Sequence, residues 1–333
     1  MNENTAVDVK AFIDQRRMSA MQWLLLGLCF LVVAADGMDV AIMGFLAPSI
    51  LQEWGGSRAS FGVVMSAAPV GLVLGALIAG PASDRIGRKT VLIASVFLFG
   101  IFTIATAYTH NLTEMAVLRV LTGLGLGAAM PNSTTLLSEY VPQRSRSLLI
   151  AIMFTGFNLG SGTVGFVAAW LIPQYGWRSV LMFGGGLPLL LIPFLLVLLP
   201  ESARFMVVRR YAAQRIGAVL GRVCRVAFPA GTQFFAPEPP VQDKKPITVL
   251  FSRGHGLMTI ALWVTYFMGL LVIYLLTGWL PTLIKDAGLP ISTAANVTAM
   301  FQIGGTVGAI LVGWAMDHTR PTRVIAAAYA AGA

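Results

Sequence analysis

Three ionisable residues stand inside stretches that are otherwise apolar. Asp36 and Asp39 lie in the run 23–46, within Val33-Ala34-Ala35-Asp36-Gly37-Met38-Asp39, and Arg119 lies in the run 114–137. Ionisable groups in hydrocarbon are costly, and where they persist they face a bundle interior or a pathway and do work there. An arginine fork binds a carboxylate through two parallel hydrogen bonds. An aspartate shielded from water can carry a proton. Three residues separate the two aspartates, so on a helix they share one face. The chemistry open to this set is proton transfer at Asp36 or Asp39 and anion binding at Arg119; an intramembrane ion pair that touches no substrate is the plainer reading. Gly37, between the aspartates, would loosen the helix or let a second helix pack closely.

The elements that must position these groups are membrane helices. Of 333 residues, 56% are hydrophobic and only 11% charged, whereas a soluble domain averages about 25% charged. Apolar spans fall at 23–46, 60–80, 90–108, 114–137, 148–170 and 179–199, then at 257–280 and 294–315, with the start of a ninth at 324–333. Each complete one is long enough to cross a bilayer. The division that follows is a cytoplasmic segment 1–21, a six-helix bundle 22–199, a cytoplasmic central loop 200–255 and a partial second bundle 256–333. Residues 9–13, with Val9, Phe12 and Ile13, suit either a short amphipathic helix on the membrane surface or a loose tail.

Lysine and arginine fix the orientation. Nineteen of the 23 fall in alternate polar segments (1–21, 81–89, 140–147, 200–255, 318–323), and three fall on the other side, at Arg58, Arg178 and Lys285. By the positive-inside rule the N-terminus and the central loop are cytoplasmic. The formal charge of +9 is then topological, and no nucleic-acid partner is needed. On this topology Arg119 lies about 7–8 Å and Asp39 about 10 Å from the outer ends of their spans, at similar depth.

A shift of 233 residues superposes the chain on itself without a gap over positions 48–84. Pro48 meets Pro281, Gly55 meets Gly288, Gly71 meets Gly304, Gly75 meets Gly308, Gly80 meets Gly313 and Asp84 meets Asp317. Two parallel halves of six spans, with a midplane site between them, describe one class of secondary transporter. On that count the second half stops in its third span, as in a truncated copy of a twelve-span protein. Asp36 and Asp39 fall on Gly269 and Val272 under the same shift, so the charge belongs to the first half alone.

The loop after the second span reads Gly80-Pro81-Ala82-Ser83-Asp84-Arg85-Ile86-Gly87-Arg88-Lys89. Gly80 suits close approach of two helices, and Asp84 suits a basic partner or a neighbouring helix N-terminus, a latch at the cytoplasmic face. Asp317 stands at the equivalent place in the second half. Glu139, Arg144 and Arg146 end the fourth span as a further gating group, and Pro200-Glu201-Ser202-Ala203-Arg204 ends the sixth. Asn158, Tyr274, Trp279 and Gln302 are candidates for a central cavity, although a lone Asn more often bonds a neighbouring helix and Trp279 suits an interfacial belt. His110, His255 and His318 lack metal-ligand spacing, no nucleophilic triad, phosphate loop or CxxC pair is present, and Cys29 and Cys224 are expected to be unpaired. Nothing here points to an enzyme or a cofactor.

These motifs resemble the major facilitator superfamily, and within it the aromatic acid:H+ symporter family. The resemblance rests on Asp36-Gly37-Met38-Asp39, on Gly80 to Lys89, on Arg119 through Pro131-Asn132, and on Met43-Gly44-Phe45-Leu46-Ala47-Pro48. The branch of 4-hydroxybenzoate and protocatechuate transporters is most similar, through Gln52-Glu53-Trp54-Gly55 and Leu136-Leu137-Ser138-Glu139-Tyr140. It implies an all-α polytopic inner-membrane protein that takes up aromatic carboxylates with protons and needs no obligate protein partner. Asp36 and Asp39 would couple the proton, Arg119, Asn158 and Tyr274 would meet the substrate, and Gly80, Asp84, Arg85, Gly87, Arg88, Glu139, Arg144 and Asp317 would gate. Another organic anion or a sugar as substrate, or an inactive fragment of such a transporter, are the alternatives.

Overall fold

A computed structural model describes residues 6–229, 231–236, 256–286 and 291–332, with 277–286, 291–296 and 298–299 described by backbone alone. The chain divides into two units, one of residues 1–236 with 301–333 and one of 237–300.

Six long helices dominate the first unit: α2 (Ala20–Trp54), α3 (Arg58–Ile86), α4 (Arg88–Thr106), α5 (Leu112–Tyr140), α6 (Arg146–Tyr175) and α7 (Trp177–Leu198). A short α1 (Val9–Asp14) precedes them, and α8 (Ala203–Val208) and α9 (Ala213–Cys224) follow. The helices start two or three residues before the apolar spans, where local caps extend several of them, and α2, α3, α5 and α6 also run past the far ends of their spans. Ser19 and Ser57 form capping boxes with Gln22 and Ser60, and Asn111 caps α5, which satisfies amide donors that a helix start leaves open. Gly87 at φ +98° and Gly176 at φ +75° make the one-residue breaks between α3 and α4 and between α6 and α7, a backbone region that favours glycine.

Helices in lipid gain little from hydrophobic burial against one another, so small residues that allow backbone contact hold them together. The α3–α5 seam shows this twice over. A Cβ on Gly71 or Gly75 would overlap the carbonyl oxygen of Val120 or Leu124, and one on Gly123 or Gly127 would overlap that of Ala68 or Leu72. The α2–α6 seam is similar, with Gly37 against the Phe157 carbonyl and Gly160 against that of Ala34. Gly37 therefore serves close packing, and α2 runs through it as unbroken helix. Gly80 has no such role among the described residues, since a Cβ there would meet nothing within 4 Å; the close approach expected of it is made by Gly71 and Gly75, two and one turns earlier.

The short amphipathic helix expected over residues 9–13 forms as α1, but its apolar face packs within the protein. A strand β1 (Ala6–Asp8) pairs in parallel with β2 (Gln233–Phe235) from the central segment. Val9 and Ile13 of α1 are buried in one cluster with Ile216, Leu220 and Val223 of α9, and Phe12 stacks at 5.1 Å on Phe228. Asp14 then accepts from the Gln143 amide at 2.8 Å. Part of the presumed central loop is thus a small folded layer, with the amphipathic α9 at its centre. Cys29 is buried and Cys224 half-buried, and both are free thiols. Burial pushes the Cys224 thiol up, partly offset by the nearby Arg16 charge, so it is a poor nucleophile.

The second unit contains α10 (Gly256–Asp286) and the start of α11 (Ile291–His318). Tyr274 lies on α10; the side chain of Trp279 is outside the described residues. A last helix, α12 (Pro321–Gly332), closes the chain. The 233-residue repeat reappears in helix boundaries. α3 and α4 begin at Arg58 and Arg88, and α11 and α12 begin at Ile291 and Pro321, 233 positions later in each case. Seven helices among the described residues are long and apolar enough to cross a membrane. Among the described residues the architecture is all-α apart from the β1–β2 pair, and the protein is a multi-pass membrane protein.

Candidate functional site

Helix α2 carries Asp36 and Asp39 at the junction of two apolar clusters. Towards its N-terminal end Leu25, Val32 and Val33 pack with Phe99, Leu126 and Leu136; beyond the junction Met38, Ile42 and Leu46 pack with Phe61, Met115 and Trp177. Neither cluster offers a polar partner. The groups that do reach Asp39 come from one position on each of two neighbouring helices.

Arg119, on α5, closes a two-pronged pair with Asp39. Its Nη1 donates to Oδ1 at 3.0 Å and its Nη2 to Oδ2 at 2.7 Å. The two side chains are 2% and 0% exposed, and Nη2 also lies 3.4 Å from the Asp39 carbonyl oxygen. Thr103, on α4, donates its hydroxyl to Asp39 Oδ1 at 2.7 Å. The three helices thus meet at one carboxylate. Breaking a buried pair by removing one partner costs about 3–5 kcal/mol, because the other charge is left uncompensated.

The pair is not saturated. Arg119 Nε and Asp36 Oδ1 are buried without a hydrogen-bond partner. Asp36 is 1% exposed and sits one turn from Asp39 on the same face. Unpaired buried polar atoms are uncommon in folded proteins and call for an explanation. Here they give the site one spare donor on the cation and one spare acceptor on a second carboxylate.

The groups expected to gate sort differently from the sequence expectation. Arg88, at the start of α4, lies between Asp84 at 3.8 Å and Glu139 at 3.4 Å. Ser202 donates its hydroxyl to Glu139 and accepts from Arg88 Nη1 at 3.4 Å. Glu201 accepts from the amides of Lys89 at 3.1 Å and Ser202 at 2.9 Å, and its carboxylate fills the space over Gly87. Glu139 therefore answers to Arg88 rather than to Arg144, which donates to the Arg16 carbonyl at 3.4 Å. The Asp84 and Arg85 carbonyls accept from Arg209 at 3.0 and 3.2 Å.

Among the described residues the Asp84 carboxylate accepts no hydrogen bond from a helix-start amide; its side chain is 73% exposed. Asp317, its repeat mate on α11, does. Asp317 Oδ1 and Oδ2 accept from the amides of Ser147 and Leu148 at 3.0 and 2.8 Å. These belong to the first turn of α6, whose own cap residue, Ser145, supplies no side-chain bond. Further along the same two helices Gln302 donates to the Ser161 hydroxyl, and Gly305 lies beside the Asn158 amide, where a Cβ would be 3.1 Å from its nitrogen. Asn158 thus stands at a helix–helix contact.

Thr103, Glu201, Ser202 and Gln22 were not singled out from the sequence for these roles. Gln22 is buried and donates to the Tyr140 carbonyl. The Glu-Ser pair after α7 was visible as a motif, but nothing in it shows that it faces the loop at 87–89. Among the described residues no group of His, Cys, Asp or Glu has the arrangement to hold a metal ion.

Comparison with known proteins fits this geometry. The family described as Major Facilitator Superfamily matches residues 28–333. A gallate transporter of Pseudomonas putida is 60% identical over 98% of this chain and 72% of its own length. A 4-hydroxybenzoate transporter of Pseudomonas aeruginosa is 52% identical over 97% of this chain and 72% of its length. The fold is shared with the crystallised proton:xylose symporter XylE at a TM-score of 0.73 and 19% identity, covering 89% of this chain and 69% of that one. The chain belongs to the Major Facilitator Superfamily.

Proposed function

We propose that the protein takes up aromatic carboxylic acids of the 4-hydroxybenzoate, protocatechuate or benzoate type together with protons across a bacterial inner membrane, with its N-terminus in the cytoplasm. The observation that carries this reading is the dry, two-pronged Asp39–Arg119 pair held by Thr103. Relatives that share half or more of the sequence are named for gallate and 4-hydroxybenzoate, both of which present a carboxylate on an aromatic ring.

The pair explains how proton and substrate are coupled. A proton on Asp39 removes the negative charge that Arg119 holds and strands a buried guanidinium, which is costly. A substrate carboxylate has the same planar two-oxygen geometry and can take the vacated fork. The charge of the site is then the same before and after, so proton and carboxylate enter as a set. Asp36, one turn away with an unpartnered oxygen, is the second proton-carrying group. Asn158 of α6 and Tyr274 of α10 are the further substrate-binding candidates, and Asn158 would have to leave its contact beside Gly305 to serve. The two halves of this reading are the six-helix bundle at 22–199 and the spans from 256, joined by the cytoplasmic segment 200–255.

Gating belongs to the cytoplasmic loops. Asp317 on the α6 N-terminus and the Gly80, Asp84, Arg85, Gly87, Arg88 group with Glu139 and Arg144 form the two sides of one closure, related by the internal repeat.

The test is uptake of labelled 4-hydroxybenzoate and gallate by cells expressing the protein, with and without a protonophore, in wild type and Asp39→Asn. Accumulation should disappear with the protonophore and in the variant, while the variant still reaches the membrane. Uptake of a sugar without competition from either aromatic acid, or wild-type accumulation by Asp39→Asn, would overturn the assignment.

A further inference from the structure

Most threonines of these helices spend their hydroxyls on their own backbone. Thr106, Thr122, Thr134, Thr163 and Thr306 each donate to the carbonyl four residues back, the common habit of a helical threonine. Thr103 departs from it. It is fully buried and turns its hydroxyl to Asp39 Oδ1, the oxygen that also accepts from Arg119 Nη1.

The two partners of that oxygen differ in kind. A guanidinium only donates, whereas a hydroxyl both donates and accepts. Protonation of Asp39 at Oδ1 turns an acceptor into a donor. Arg119 cannot answer it, but Thr103 can, by rotating its hydroxyl to accept. A valine of the same shape could answer neither state. We propose that Thr103 is the positioning residue of the coupling site: it stays bonded to Asp39 in both protonation states and so holds the carboxyl in place while Arg119 is released to the substrate. This rests on the proton-coupled reading of the Asp39–Arg119 pair.

Among the described residues of the first unit no other ionisable group competes for the role. Asp36 faces Asp39 from the same helix and Arg119 faces it from α5. Helix α4 brings Thr103, its charges Arg88 and Lys89 being at its far start. The ionisable groups of α3, α6 and α7 all stand in their end turns, at Arg58, Asp84, Arg85, Arg146, Tyr175 and Arg178, and those of α9 lie in the cytoplasmic layer.

The experiment compares Thr103→Val, which keeps the shape, with Thr103→Ser, which keeps the hydroxyl. Two readouts are taken: the pH profile of 4-hydroxybenzoate accumulation in cells, and the infrared carboxyl band of the purified protein during a pH titration, assigned to Asp39 by its loss in Asp39→Asn. Loss of a hydrogen bond to a charged group corresponds to about a tenfold change or more. Thr103→Val should therefore lower accumulation about tenfold and move both the pH midpoint and the band. Thr103→Ser should stay within about twofold of wild type on the same scale. An unmoved band and pH profile in Thr103→Val would overturn the proposal, as would a serine variant that behaves like valine. If wild type fails to accumulate any aromatic acid but the Asp39 band shifts in Thr103→Val and not in Thr103→Ser, the transport reading falls and the positioning role stands. Thr103→Ala replaces the valine variant if that one does not reach the membrane.

Discussion

Two acidic residues of α2 and α3, Asp39 and Asp84, both have an arginine for a partner, and the resemblance ends there. Asp39 shares three hydrogen bonds with Arg119 and Thr103 in a site closed to solvent. Asp84 stands 3.8 Å from Arg88 with its side chain 73% exposed. The first is a pair whose parts cannot be separated without leaving a bare charge in a low-dielectric interior. The second is a contact that water and salt can replace. Asp317 lies between the extremes, since it is held by two backbone amides of a helix start rather than by a counter-charge. What differs is not the residue type but what surrounds it.

The largest effect expected is at the buried pair. Arg119→Ala leaves Asp39 with Thr103 as its remaining donor and should destabilise the protein by about 3–5 kcal/mol, read as a lowered melting temperature in detergent. A double variant, Asp39→Leu with Arg119→Met, removes both charges and should regain most of that loss while remaining unable to accumulate substrate. If the double variant is no more stable than Arg119→Ala, the pair is not the reason for the cost.

Asp317→Ala comes next. Loss of a carboxylate from a helix N-terminus costs about 0.5–2 kcal/mol, and α6 has no cap of its own to fall back on. The variant should melt lower by that amount, and Asp317→Asn, which keeps one acceptor, should lose less. Equal melting of Asp317→Ala and wild type would mean that the α6 contact contributes nothing to stability.

Much of this was legible in the sequence. The apolar runs placed the helices, the lysine and arginine pattern supplied the orientation now proposed, and the 233-residue shift anticipated where α11 and α12 begin. The similar depths of Asp39 and Arg119 were readable from residue counts. The choice of Asp39 over Asp36 was not. The two differ by about 4.5 Å along one helix face, and which of them meets Arg119 depends on how α5 sits against α2, which helical periodicity does not encode. Thr103 was invisible for a related reason: a threonine in an apolar span looks the same whether it bonds its own backbone or a neighbour. The helix at residues 9–14 is legible but its partner is not, because Val9, Phe12 and Ile13 give the same amphipathic pattern whether they face lipid or α9. Glu201 reaches Gly87 and Lys89 only because α7 returns the chain beside α4, which no local pattern announces.

Asp84→Ala sharpens the comparison by being small. An exposed ion pair contributes about 0–1 kcal/mol, and Arg88 keeps Glu139 and Ser202 when Asp84 is gone. The Arg209 contacts use the Asp84 and Arg85 carbonyls, which the substitution leaves in place. Stability should therefore change by less than about 0.5 kcal/mol, well below the change at Asp317. Transport need not follow stability. If Asp84 belongs to a closure that forms only in another state of the cycle, Asp84→Ala should slow uptake while the melting temperature stays put, because an interaction missing from the resting state cannot contribute to its stability. A variant that melts as wild type and transports as wild type would remove Asp84 from the gating set. One that melts lower by as much as Asp317→Ala would mean that the two aspartates hold the resting state equally, against the exposure seen at Asp84.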